Sequence, residues 1–283
     1  MPGGPASARL SSAKAGLYDI APFGNVSLLH MTDCHAQLLP GHFREPSVNL
    51  GLAGMQGQWP HRVGGQLFTL VKQLKASRPG AQLLDGGDTW QGSATALWTN
   101  AQDMVDASKL LGVDLMTGHW EFTCGMDRVK QIVENDFKGR IEFLAQNIQT
   151  NDFGDLVFAP YALRSINGVP VAIPVANAGG KTLVTNAGSH GKFLGVTDFD
   201  VKGGKRADFR YRLLPIFANQ LQADPAMAAL ITQVRAPYAA RQATPYQHAQ
   251  AAGGGGQPGP AGMSPGGAGC STKPLHFSDA SRP

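Results

Sequence analysis

The sequence predicts an α/β fold with a largely parallel sheet in its first half. Three observations carry that expectation. Short apolar runs at 26–31, 83–85 and 113–117 each break at a turn-forming stretch bearing Asp or His. Segments with apolar residues at helical spacing separate them. From Phe158 onward the pattern changes to short, alternating runs split by Gly, with no helix between them.

Taken in order, residues 1–22 read as an irregular lead-in, small and polar over 1–15. Val26-Ser27-Leu28-Leu29-His30-Met31 is the first strand. Residues 39–61 hold several Gly and Pro together with His42, Phe43, Arg44, Glu45 and His61, and read as a long loop. Arg44 either binds an anionic substrate group or forms a solvated loop ion pair. Leu67, Leu70, Val71 and Leu74 space a helix over 63–77, which Arg78-Pro79-Gly80 ends. The strand ending at Asp85 follows. A helix over 101–111, a strand over 113–117, a helix over 126–137 and a strand over 141–145 complete the alternating half. Strands joined by helical crossovers predict parallel pairing.

Beyond it, 158–166, 169–173, 182–186, 194–201 and 207–213 read as strands, and Asn167-Gly168 is a hairpin signal. Asp224-Pro225 caps a helix over 223–235. From 237 large apolar residues become scarce, and 251–269 is mostly Gly, Ala and Pro. Such composition cannot bury enough surface to offset its ordering entropy. The expected organisation is therefore a lead-in (1–22), one domain (23–236) and a disordered tail (237–283).

The strand ends suggest a site. In open α/β sheets ligands bind beyond the carboxyl ends of strands. Leu83-Leu84-Asp85-Gly86-Gly87-Asp88 delivers Asp88, whose two oxygens can bridge two cations. Thr32-Asp33-Cys34-His35 offers an O/N ligand pair at i and i+2, on one face if the segment is extended. Cys34 would then point away, as a structural thiol. Gly118-His119-Trp120-Glu121 adds His119. Glu121 would orient His119; alternatively, Trp120 and Glu121 are plain loop residues. Asn147, after the fourth strand, is a further candidate ligand.

These motifs resemble the calcineurin-like metallophosphoesterases of the 5′-nucleotidase branch. In wording, Thr32-Asp33-Cys34-His35-Ala36-Gln37-Leu38, Phe43-Arg44-Glu45-Pro46, Gly87-Asp88-Thr89-Trp90-Gln91-Gly92-Ser93 and Gly118-His119-Trp120-Glu121-Phe122-Thr123 resemble the SoxB-type thiosulfohydrolases of the sulfur-oxidation (Sox) system. His119-Trp120 stands where 5′-nucleotidases have Asn-His, which argues against ordinary nucleotide chemistry and marks the SoxB type. The likeness covers roughly residues 15 to 238. It implies an α/β/β/α sandwich, incomplete here, because the family's C-terminal substrate domain and two later His motifs are missing. The chain passes from Ile173 within a few residues to Gly179-Gly180, a segment resembling one that lies beyond those motifs. His190, in Gly188-Ser189-His190-Gly191, reads as a turn residue rather than a replacement ligand.

The resemblance further implies a hydrolase with a dimanganese site. Its metal ligands would be Asp33, His35, Asp88 and His119, its catalytic residues His119 and Glu121, and its substrate contacts Arg44 and Trp120. This ligand set suffices for one Mn(2+) and leaves a second short. The implied reaction releases sulfate from a cysteine S-thiosulfonate on a sulfur-carrier protein, in the periplasm. Two alternatives stay open: 5′-nucleotidase or phosphoesterase activity, and a catalytically impaired fragment.

Composition bounds the rest. The 283 residues are 42% hydrophobic, enough for a sizeable core, and the net charge of +4 is modest and dispersed, which does not argue for nucleic acid. Three cysteines without metal-type spacing make no disulfide framework. No apolar run is long enough to span a membrane, and the first residues lack the apolar stretch of a signal peptide.

Overall fold

A computed structural model describes residues 16–39, 65–173, 185–217 and 220–243 of the chain. The elements are β1 (Val26–Met31), α1 (Gly65–Ser77), β2 (Gln82–Asp85), α2 (Ala94–Thr99), α3 (Gln102–Leu111), β3 (Leu115–Thr117) and a 3₁₀ turn (Trp120–Cys124). They continue with α4 (Met126–Gln131), a π-helical turn (Ile132–Asp136), β4 (Glu142–Leu144), β5 (Ala162–Ile166), β6 (Val169–Ile173), β7 (Phe193–Lys202) and β8 (Lys205–Pro215). Last come α5 (Pro225–Arg235), a 3₁₀ turn (Ala236–Tyr238) and α6 (Ala239–Ala243).

A six-stranded mixed sheet of order β4-β3-β2-β1-β7-β8 organises the molecule. β1 to β4 run parallel, so their carboxyl ends share one edge. β7 pairs antiparallel with β1, and β8 with β7. One face carries Leu29, Met31, Leu83, Met116 and Phe143, packed in a single cluster with Leu67, Leu70, Val71 and Leu74 of α1, Met104 and Val105 of α3, and Val129 of α4. This is the helical spacing read from the sequence, put to use in burial. The α5 helix joins through Met227, which packs with Phe68 and Ala107. Its N-cap is Asp224, whose side chain accepts from the Ala226 and Met227 amides, with Pro225 in the first turn.

On the other face the β5–β6 hairpin covers one end, where Ala162 packs on Leu115 and Leu144. Its turn residues Asn167 and Gly168 both have positive φ, 49° and 79°, as a type I′ turn requires. An Arg164–Glu142 ion pair ties the hairpin to β4. Beyond it lies a cavity of about 600 Å³ whose lining includes Leu28, His30, Leu84, Thr197 and Phe199. β7 and β8, read from the sequence only as strands without helices between them, extend the main sheet. Among the described residues the second layer of the expected sandwich is the β5–β6 hairpin.

A buried ion pair locks this junction: Arg78 donates from Nε to Asp198 Oδ1 at 2.9 Å and from Nη2 to Oδ2 at 3.1 Å. Ser27 also donates to Asp198, at 2.6 Å, so β1, β7 and the residue that follows α1 meet at one carboxylate.

Several expectations need adjusting. α2 is an element the sequence reading did not anticipate; its N-cap Ser93 accepts from the Ala96 amide. The helix expected over 126–137 closes in a π-helical turn. Thr185 and Asn186 are not in a strand, and the rest of the 182–186 segment lies outside the described residues. The tail was expected to begin at 237, yet helical structure runs through Ala243; 244–283 lies outside the described residues.

Candidate metal centre

The loops after β1, β2 and β3 converge because the three strands are parallel neighbours. Main-chain bonds lock the first two loops together. The Gly86 amide donates to Met31 O at 2.8 Å, Asp33 to Gly87 O at 2.8 Å, His35 to Asp88 O at 3.0 Å and Ala36 to Thr89 O at 2.9 Å. The result is a cluster in which ligand atoms of Asp33, His35 and Asp88 all lie within 4.8 Å of one another. His35 Nε2 stands 3.8 Å from Asp33 Oδ1 and 3.5 Å from Asp88 Oδ2. Thr32 donates its hydroxyl to Asp33 Oδ2 at 2.6 Å, which leaves Oδ1 toward His35. His119 Nδ1 also lies 3.5 Å from Asp88 Oδ2, so Asp88 sits between the two imidazoles.

The route to this convergence differs from the one expected. Asp33 and His35 do not share a face of an extended segment; both are left-handed, with φ of 53° and 49°. Ala36 and Asp88 are left-handed too, at 49° and 59°. Four non-glycine residues in that region, in two contacting loops, mark a backbone held against its local preference. Gly87 is needed as glycine: at its φ of 86° a Cβ would meet Thr117 O at 2.9 Å. Cys34 is buried in the main core, as a structural thiol would be, and burial pushes its pKa up.

Glu121, expected as a catalytic residue that orients His119, is 0% exposed and its carboxylate accepts from main-chain amides. Oε1 accepts from Thr89 at 2.6 Å and Trp90 at 3.3 Å; Oε2 accepts from Asp88 at 3.1 Å and His119 at 2.7 Å. It welds the β2 loop to the β3 loop, and so positions His119 through its backbone rather than its ring. Asp85 lies beneath, accepting from the Gly87 amide at 3.0 Å and the Thr89 hydroxyl at 2.9 Å. Burial, and then the nearby Glu121 carboxylate, push its pKa up to about 8.

Trp120 is 56% exposed and stands edge-on to His119, ring centroids 6.1 Å apart. Asn147 is exposed at the rim of the 600 Å³ cavity, which Asp85 and Gly86 also line. Arg44 lies outside the described residues. The sequence gives no sign of where His190 packs. It does sit in a turn, but its ring stacks on His35, with centroids 4.8 Å apart and planes at 24°. Burial, and next the His35 ring, lower its pKa.

The donor set fits a divalent cation. Carboxylate and imidazole suit manganese, zinc or iron. More tellingly, Asp88 Oδ1 is buried and has no hydrogen-bond partner among the described residues, a cost that a bound cation would relieve.

No protein-family model matches the chain. Its backbone is similar to that of the sulfate thiohydrolase SoxB of Thermus thermophilus, with a TM-score of 0.66 and 21% identity, over 79% of this chain and 62% of that one. The fold is that of the calcineurin-like phosphoesterases and 5′-nucleotidases. A 5′-nucleotidase precursor, also from Thermus thermophilus, gives a TM-score of 0.61 at 16% identity, over 76% of this chain and 59% of that one. The calcineurin-like phosphoesterase YfkN of Bacillus subtilis gives 0.52 at 15% identity, over 75% of this chain and 97% of that one. In sequence, the 5′-nucleotidase of Rattus norvegicus is 28% identical over 172 residues, 57% of this chain. The chain spans only 28% of that relative's length. By name these proteins are hydrolases. Among the described residues no helix is long and apolar enough to cross a membrane.

Proposed function

We propose that this chain is a metal-dependent hydrolase of the thiosulfohydrolase type that holds one divalent ion, with manganese the best match. The observation that carries the metal reading is the Asp33–His35–Asp88 cluster, whose ligand atoms all lie within 4.8 Å of one another; the other Asp88 oxygen, Oδ1, is buried without a hydrogen-bond partner among the described residues. Thiosulfonate rather than nucleotide chemistry is supported by the Gly118-His119-Trp120-Glu121 motif and by the likeness to SoxB.

Asp33, His35 and Asp88 would hold the ion, with His119 on the far side of Asp88. A divalent cation there supplies positive charge that acidifies water and balances a tetrahedral anion under attack. The chain's own groups do the rest. His119, its side chain 63% exposed, can donate a hydrogen bond to an arriving sulfonate or pass a proton to the sulfur that leaves as sulfate is released. Trp120 offers an exposed apolar wall beside it for the arm of a sulfur-carrier protein, and Arg44 remains a candidate for its anionic end. Glu121 holds the amides of Asp88 and His119 and thereby their spacing. By the same resemblance enzyme and carrier would meet in the periplasm.

A second ion would need three or four protein ligands of its own, with Asp88 shared. Among the described residues His119 and Asn147 leave it short, so one tight equivalent and slow turnover are expected. Elemental analysis of the manganese-loaded chain should give one metal per chain, with sulfate released from a cysteine S-thiosulfonate peptide above the rate with free manganese. Phosphate release from nucleoside monophosphates without sulfate release would establish the nucleotidase alternative. Bound metal with neither activity would establish the impaired fragment.

A further inference from the structure

We propose that His190 is a positioning residue of the metal centre, holding the His35 imidazole and the Asp33 loop in place for the ion; this rests on the metal reading above. Two independent contacts point to it. The His190 amide donates to Asp33 O at 2.6 Å, shorter than the usual range for such bonds. The His190 ring stacks on the ring of His35, 4.8 Å away. His190 is itself held: Ser189 Oγ lies 2.9 Å from its Nδ1, and its φ of 56° puts it in a left-handed turn that Gly191, at 60°, continues.

Topology explains why a residue so late in the chain arrives there. β7 runs antiparallel to β1, with His30 opposite Gly195. The residues just before β7 therefore overshoot the carboxyl end of β1, where Asp33 and His35 lie. His35 meets Asp88 on one side and His190 against its ring. An imidazole that must present one nitrogen to an ion gains affinity when its plane is fixed beforehand, and partners behind a ligand typically change metal affinity about 10- to 100-fold.

The test separates stacking from coordination and from simple structure. Manganese affinity of the full chain is measured by calorimetry and by the Mn(2+) electron paramagnetic resonance signal, for the unaltered chain, His190→Ala and His190→Phe. Phenylalanine can stack but cannot ligate. Affinity about tenfold or more weaker in H190A and near the unaltered value in H190F, with metal-free melting temperatures alike for the two variants, supports the proposal. Equal affinity in all three overturns it, as does an equal loss in both variants, which would make His190 a ligand or a general structural residue. If H190A does not fold, His190→Asn takes its place, since asparagine tolerates left-handed backbone. Failure of the unaltered chain to bind manganese overturns the metal reading itself, and this proposal with it.

Discussion

Glu121 binds the loops of the site together through main-chain amides. Both its oxygens accept two amides each. Removing the side chain strands four main-chain donors, three of them in buried hydrogen bonds and each of those worth about 1–3 kcal/mol when unsatisfied. Glu121→Ala should therefore lower unfolding free energy by about 3 kcal/mol or more in urea titration. Glu121→Gln should also be damaging: whichever way the amide flips, its NH₂ faces two N–H donors. Asp85 makes a pH prediction. Its folded pKa, raised to about 8 from 3.8, means the folded chain keeps a proton that the unfolded chain releases near pH 4. Stability from this group is then full below about pH 4 and falls as pH rises toward 8, by at most about 1.4 kcal/mol per unit. Asp85→Asn should flatten that slope in denaturation curves between pH 5 and 8; an unchanged slope would show that Asp85 is ionised when folded.

At the scale of elements, the site depends on parallel pairing and on caps. β1, β2 and β3 each end at the same edge, and the short loops after them have little freedom to place their ligands elsewhere. α5 reaches back to hold α1: Asp224 caps α5 and also accepts from Lys72 Nζ at 2.8 Å. Asp224→Ala should lose about 1–2 kcal/mol, read as a lower urea midpoint, without changing manganese affinity, since nothing at the centre touches it. The α5 boundary was legible because Asp-Pro is a strong start signal. The short α2 was missed because six residues give little periodicity to read.

For the whole molecule, metal binding and folding are linked. An ion that binds the native cluster and not the unfolded chain stabilises by mass action, about 2.7 kcal/mol at 100 times the dissociation constant. Manganese should therefore raise the melting temperature of the chain and EDTA should reverse it. Asp88→Asn should remove this response while leaving the metal-free transition in place. A preserved manganese shift in D88N would show that Asp88 is not at the centre of the site.

Read alone, the residues of the first half were enough to place its strands, its longer helices and the loops that carry Asp33, His35, Asp88 and His119. Those features are local: apolar periodicity, Gly-Gly breaks and cap residues act within a few positions of themselves. The rest follows from contacts between segments distant in the chain. The left-handed turns that aim Asp33 and His35 depend on amides of one loop meeting carbonyls of the next. Glu121's hold on the amides of both loops depends on its burial between them. His190 reaches the centre only through the antiparallel register of β7 on β1. Register between strands more than 160 residues apart is fixed by side-chain packing across the sheet, and no local pattern encodes it.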